Sequence, residues 1–272
     1  MSISSNLERI HNEIADACAR AHRAPSTVAL MAVSKMHPAE AILEAHAAGQ
    51  RLFGENRVQE WQSKVSGFFT SLQPGTTAVA DLGAPSGSPA SSLVGVTFAP
   101  FASKLSSTSP GELEVHLIGP LQNNKAAKAA ELFHAIDTLD SFKTAERLDR
   151  AASVLNKSLP VLIEVKLSPE ETKHGLAPEE LPTVLNQLAA LPHLIIRGLM
   201  TVPPWCDNTP EGAETARPYF QHLRRLRDEL QPTHPTLTEL SMGMTNDFRV
   251  AIEEGSTTVR IGTAIFGKRV YT

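Results

Sequence analysis

Val28-Ala29-Leu30-Met31-Ala32-Val33-Ser34-Lys35 opens with six apolar residues and stops on a hydroxyl and an amine. A run without polar alternation fits a parallel strand covered on both faces. Further apolar runs follow at 51–54, 115–119, 134–139, 161–167, 194–202, 237–242 and 258–262, eight in all with 28–33. Amphipathic stretches lie between them at 38–48, 141–155, 178–191, 213–230 and 246–254. The first of these opens on Pro38 and closes before Gly49, the usual asymmetry of helix ends, and Ser141 is a helix cap. One more helix, 4–21, precedes the first strand. Eight strands alternating with helices predict one α/β TIM-type (β/α)8 barrel with an extra N-terminal helix. A doubly wound open sheet is the alternative, but no Gly-rich phosphate turn follows Val33.

The stretch 66–111 breaks the pattern. It is rich in Ser, Pro, Gly, Thr and Ala and almost uncharged. Such a segment buries little apolar surface, so a mobile surface insertion in a single-domain chain of 1–272 is expected there.

The 272 residues fit one barrel, and 42% hydrophobic residues suffice for its core. A net charge of -4 and 5% aromatic residues give no electrostatic or stacking reason to expect nucleic acid. No stretch approaches the roughly 20 apolar residues of a membrane span, and with Glu8 and Glu13 and no apolar core near the start, no signal or transit segment is expected. A cytoplasmic location is expected. Cys18 and Cys206 show no metal-ligand spacing and read as reduced thiols.

Barrel chemistry sits where strands end. After the first run stands Lys35. It is either a solvated strand-end lysine or a partly desolvated amine able to attack a carbonyl. After the second comes Gly54-Glu55-Asn56-Arg57, and after the third Gln122-Asn123-Asn124-Lys125, with a second candidate lysine. The sixth run carries Gly198-Leu199-Met200-Thr201, the seventh leads into Ser241-Met242-Gly243-Met244-Thr245, and the eighth is Val259-Arg260-Ile261-Gly262-Thr263. Loops after the seventh and eighth strands of barrels commonly hold phosphate, and a helix beginning after Thr245 offers free N–H groups. Ser241, Gly243, Gly262 and Thr263 either serve an anion there or simply shape turns. Arg260 lies among apolar neighbours and needs an acceptor. That acceptor is either a core carboxylate or a pyridine nitrogen, which enzymes using pyridoxal 5'-phosphate (PLP) pair with Asp or Arg.

Taken in order, these segments resemble the pyridoxal phosphate homeostasis protein family. The match rests on Ala32-Val33-Ser34-Lys35, Phe53-Gly54-Glu55-Asn56, His116-Leu117-Ile118-Gly119, Leu121-Gln122-Asn123-Asn124-Lys125, Gly198-Leu199-Met200-Thr201, Ser241-Met242-Gly243-Met244 and 259–267. It spans nearly the whole chain except 66–111. The resemblance implies a fold-type III PLP barrel similar to the N-terminal domain of alanine racemase. It implies that Lys35 forms a Schiff base with PLP, that Arg260 faces the pyridine nitrogen, and that Ser241, Gly243, Gly262 and Thr263 contact the phosphate. Asn56 and Met200 are implied to lie near the ring, and Lys125 is left as a secondary PLP contact. Two departures stand out. The 66–111 insertion is foreign to the family pattern, and the usual Ser-x-Asp appears as Thr245-Asn246-Asp247, in which Thr245 is expected to cap the following helix.

A racemase-like reaction needs a second base opposite the lysine. Tyr219 falls within a helical stretch, Tyr271 lies at the end, and the sequence stops at Thr272 soon after the eighth run. A monomeric, non-catalytic PLP carrier serving PLP-dependent apoenzymes is therefore expected. A PLP-dependent amino-acid racemase and a class I aldolase are the alternatives.

Overall fold

The computed structural model describes residues 2–71, 112–170 and 174–268, with backbone alone for 67–71. Eight strands close into a barrel in chain order: β1 (Ala29–Val33), β2 (Leu52–Glu55), β3 (Glu114–Leu117), β4 (Ala135–Leu139), β5 (Leu159–Glu164), β6 (Leu194–Met200), β7 (Glu239–Ser241) and β8 (Thr258–Ile261). Every neighbouring pair is parallel, and β8 returns to β1. All eight apolar runs are thus strands, and the barrel expected from their alternation with helices is the fold. β4 is buried along its entire length, as a strand covered on both faces must be.

The helices are α1 (Ile3–Arg20), α2 (Ala39–Ala47), α3 (Val58–Ser71), α4 (Ala126–Leu132), α5 (Phe142–Val154), α6 (Leu181–Leu188), α7 (Pro210–Glu214), α8 (Arg217–Leu230), α9 (Phe248–Glu253) and α10 (Thr263–Phe266). Leu7, Ile10, Ile14, Ala17 and Cys18 recur at helical spacing and bury one face of α1. That face packs on α9, α10 and α2. Because α10 has only four residues, α1 fills the place in the outer ring between β8 and β1. Asn6 and Arg9 of α1 donate to the carbonyls of Ile265 and Ala264 at 2.8 and 3.0 Å, fixing α10 from behind. Trp61 of α3 is fully buried, and its indole N–H donates to the carbonyl of Leu132 at 3.0 Å.

Several boundaries differ from the sequence expectation. Residues 66–71 continue α3 rather than beginning the insertion. Gly67 is the poorest helix former there, and one glycine costs only about 1 kcal/mol. The stretch 213–230 is two helices, with Thr209 capping α7 through the amide of Gly212 and Pro218 near the start of α8. Thr245 does not cap α9, which starts later, at Phe248. The expectation for 72–111 lies outside the described residues. Cys18 and Cys206 are both buried and unbridged. Among the described residues, no helix is long and apolar enough to cross a membrane.

Candidate functional site

Ser34 and Lys35 follow β1 at the C-terminal mouth of the barrel. Ser34 is fully buried and Lys35 half-buried, so the lysine is not a fully solvated surface residue. Residues 34–37 form a tight turn closed by the amide of His37 donating to the carbonyl of Ser34 at 3.1 Å. Met36, third in this turn, has φ +62°, a left-handed conformation unusual for a side-chain-bearing residue.

Charged groups surround this turn from the β2–α3 side. The Ser34 hydroxyl donates to Glu55 Oε1 at 2.6 Å. Lys64 Nζ donates to that same oxygen at 2.7 Å, to the Ser34 carbonyl at 3.0 Å and to Glu60 Oε1 at 2.8 Å. Its three N–H bonds are thereby all used. Glu60 Oε1 also accepts the amide of Met36 at 2.5 Å. Burial pushes the Glu55 carboxyl above its ordinary range, against the pull of Lys64 and Ser34. Burial works the same way on Glu60, but hydrogen bonds from Lys64 and Met36 outweigh it and hold that carboxyl below its ordinary range.

Arg260 stands within β8, paired in register with Met31 of β1, and points into the barrel. One terminal nitrogen donates to the carbonyl and hydroxyl oxygens of Ser241 at 2.8 and 2.7 Å. The other donates to the carbonyl of Thr201 at 2.8 Å. Among the described residues, Arg260 makes no ion pair; its acceptors are neutral oxygens at the ends of β6 and β7. Burial lowers its pKa, opposed by the more distant carboxylates of Asp137, Asp247 and Glu164. A guanidinium has five N–H bonds, so three hydrogen bonds leave two for a ligand. That donor set fits a neutral acceptor such as a pyridine nitrogen.

The other expected residues gather around the same mouth. Met200 and Ser241 are register partners across β6 and β7. Gly262 lies against Val33, where an added Cβ would come within 3.1 Å of the Val33 carbonyl. Thr263 follows it as the first residue of α10, with its side chain exposed. Asn56, after β2, packs directly over Gly119, after β3. Gly243 has φ +96°, and a Cβ there would meet Ala251 Cβ at 2.6 Å, so only glycine fits. Lys125 ends a short helical turn after β3 and is half-buried. The start of α9, expected to offer free N–H groups to an anion, instead carries the buried Asp247, whose carboxylate accepts the amide of Met244 at 2.6 Å. Burial raises the Asp247 carboxyl above its ordinary range.

Below the mouth a charge chain runs from the buried Asp137 to the partly exposed Glu114. His116 of β3 sits between Asp137 Oδ1 of β4 at 2.9 Å and Glu114 Oε1 at 3.0 Å. Burial alone would lower the imidazole pKa, but the two carboxylates outweigh it and raise the pKa to about 10. The sequence reading missed Asp137, Glu60 and Lys64 as parts of this architecture, and it marked Thr201 without foreseeing its contact with Arg260. Glu60 and Lys64 carried a local signal, an acid four residues before a base on one helix. Asp137 is a lone charge in an apolar run, the same signal that marked Arg260. Thr201 acts through its carbonyl, which leaves no side-chain signature.

The sequence profile of the alanine racemase N-terminal domain family matches residues 5–270. A pyridoxal phosphate homeostasis protein of Vibrio cholerae is 40% identical over 272 residues, covering 100% of this chain and 98% of the relative. The chain belongs to the pyridoxal phosphate homeostasis protein family. The family likeness extends to the solved structure of PipY from Synechococcus elongatus with PLP bound. That structure is 38% identical, with TM-score 0.72, covering 98% of this chain and 100% of that one. Alanine racemase of Clostridium difficile matches at TM-score 0.61 and 13% identity, over 97% of this chain and 56% of that one. That likeness concerns the fold alone.

Proposed function

We propose that this chain binds PLP at the barrel mouth, covalently through Lys35, and holds it for intracellular PLP homeostasis and delivery. The observation that carries the reading is Arg260: a buried guanidinium, bonded only to neutral oxygens, with N–H groups left over at the mouth that also holds Lys35. The names of the curated relatives and the PLP-bound relative support the same ligand.

When bound, PLP supplies an aldehyde carbon for covalent attachment and a ring that accepts electrons. Lys35 provides the amine for that attachment. Arg260 donates a hydrogen bond to the pyridine nitrogen and keeps its own proton, since a guanidinium is a very weak acid. A guanidinium donor there would leave the ring nitrogen uncharged and lessen the electron withdrawal the ring supplies. Ser241 accepts from Arg260 and keeps its own hydroxyl hydrogen for a phosphate oxygen, with Gly243, Gly262 and Thr263 supplying backbone and hydroxyl contacts. Asn56 and Met200 flank the ring.

A non-catalytic role accords with relatives named as homeostasis proteins. Tyr219, the one tyrosine among the described residues, is on α8 in the outer ring, away from the strand ends where a second base would stand. The reading includes a monomer in the cytoplasm, with PLP-dependent apoenzymes as recipients and Lys125 as a secondary contact.

The test is the visible spectrum of purified protein mixed with PLP, followed by borohydride reduction and peptide mapping. We expect a visible band that disappears in Lys35→Ala and a reduced PLP adduct on the peptide containing Lys35. Uptake of PLP without such a band, or an adduct on another lysine, overturns the assignment.

A further inference from the structure

We infer that Glu60 and Lys64 of α3, with Glu55 of β2, form a positioning clamp that fixes the turn carrying Lys35; this rests on the reading of Lys35 as the PLP-binding residue. Lys35 lies between two residues whose backbones are held from outside the turn. On one side, the Ser34 carbonyl accepts from Lys64 Nζ at 3.0 Å, while the Ser34 hydroxyl donates to Glu55 at 2.6 Å. On the other, the Met36 amide donates to Glu60 Oε1 at 2.5 Å. Lys64 joins both sides, because it also donates to Glu55 and Glu60.

Such a clamp has a physical reason to exist. Met36 has φ +62°, and a left-handed conformation is unfavourable for a residue bearing a Cβ. The residue is 45% exposed, so packing does little to hold that conformation. A charge-assisted hydrogen bond to its amide does so instead. Lys64 has a side-chain exposure of only 9%, and Glu55 is fully buried. Burying such charges beneath an ordinary solvent-facing turn would bring desolvation cost without return. Beneath a lysine whose amine must meet an aldehyde at one place in the barrel, the same charges fix where its side chain starts. Glu60 and Lys64 act through the backbone of the turn and Glu55 through the Ser34 hydroxyl; all three are positioning residues.

The discriminating comparison is Glu60→Leu against Glu60→Gln. Glu60 lies in the first turn of α3 with 23% side-chain exposure, so neither change empties the core. Glutamine keeps an oxygen acceptor for the Met36 amide, and leucine does not. In cofactor-free protein, Glu60→Leu is expected to speed amide hydrogen exchange at Met36 by about tenfold or more, as loss of a charge-assisted hydrogen bond implies. In titrations with PLP, followed by the visible band, it is expected to weaken binding roughly tenfold, the scale on which the loss of outer supports weakens ligand sites. Glu60→Gln should stay within about threefold of the unaltered protein in both measurements, since it retains the acceptor. Unchanged exchange at Met36 in Glu60→Leu overturns the clamp. Faster exchange with unchanged PLP affinity overturns its role in positioning Lys35. Equal losses in both variants also overturn it, because the lost quantity would then be charge and not the hydrogen bond. If the unaltered protein takes up no PLP, the Lys35 reading falls on its own, and exchange in cofactor-free protein still decides the clamp.

Discussion

Arg260 and Ser241 are joined twice by a single guanidinium nitrogen, which donates to the carbonyl of Ser241 at 2.8 Å and to its hydroxyl at 2.7 Å. The pair ties β8 to β7 at the end of the barrel where ligands bind. The same guanidinium reaches the carbonyl of Thr201 just beyond β6, so one side chain spans three strand ends.

Arg260→Leu should destabilise the cofactor-free protein by about 2–4 kcal/mol, because it strands the Thr201 carbonyl and the Ser241 hydroxyl and leaves the Ser241 carbonyl only the amide of Thr201 at 3.2 Å. Arg260→Lys should lose less, since an ammonium still donates but cannot reproduce the fork. Urea titration of the three proteins measures this. A leucine variant as stable as the parent would mean that the three oxygens find other donors.

His116 gives the stability of the protein a pH dependence of known sign. Its pKa rises from an ordinary 6.5 to about 10 in the fold. The protonated ring is thus favoured by folding. This stabilisation is full below pH 6.5 and disappears as pH rises toward about 10. Lys157 works against it at the upper end: burial lowers its pKa from 10.5 to about 8, so stability is gained as pH passes from 8 to 10.5. The difference between the unaltered protein and His116→Gln isolates the histidine. That difference in urea midpoint should shrink across the window from 6.5 to 10. A constant difference would show that His116 is not charged in the native state.

Gly243→Ala should cost about 2–4 kcal/mol, combining a left-handed backbone with overlap against α9. Gly49→Ala is the control. Gly49 has φ +99° with nothing within 4 Å of its Cβ position, so only the backbone cost of roughly 1–2 kcal/mol remains. Thermal or denaturant unfolding of both variants checks the ordering. Equal losses would mean that α9 moves aside freely.

Met36→Gly should leave the cofactor-free protein as stable as the parent or about 0.5–1 kcal/mol more stable, since glycine adopts positive φ without penalty. A loss above about 1 kcal/mol would show that the Met36 side chain has a packing role that outweighs the strain.

Purified protein loaded with PLP should interconvert or consume a panel of L- and D-amino acids no faster than free PLP does. Chiral chromatography of the panel measures this. Turnover well above free PLP, lost in Lys35→Ala, would make the chain a PLP-dependent enzyme.

The sequence by itself determined the barrel, because continuous apolar runs alternating with amphipathic stretches have few stable arrangements, and each run is a local signal. It likewise located Lys35 at a strand end and marked Arg260 as a charge in an apolar strand. Tertiary structure alone decided what those two residues touch. The acceptors of Arg260 lie 19 and 59 residues away in sequence, and Lys64 reaches Ser34 across 30. No local pattern encodes such pairings, since they arise when barrel closure brings strand ends together. The left-handed turn at Met36 was equally invisible, because methionine carries no propensity for it; the amide's bond to Glu60 holds it. In each case burial demanded a partner, and only the folded barrel determined which partner was within reach.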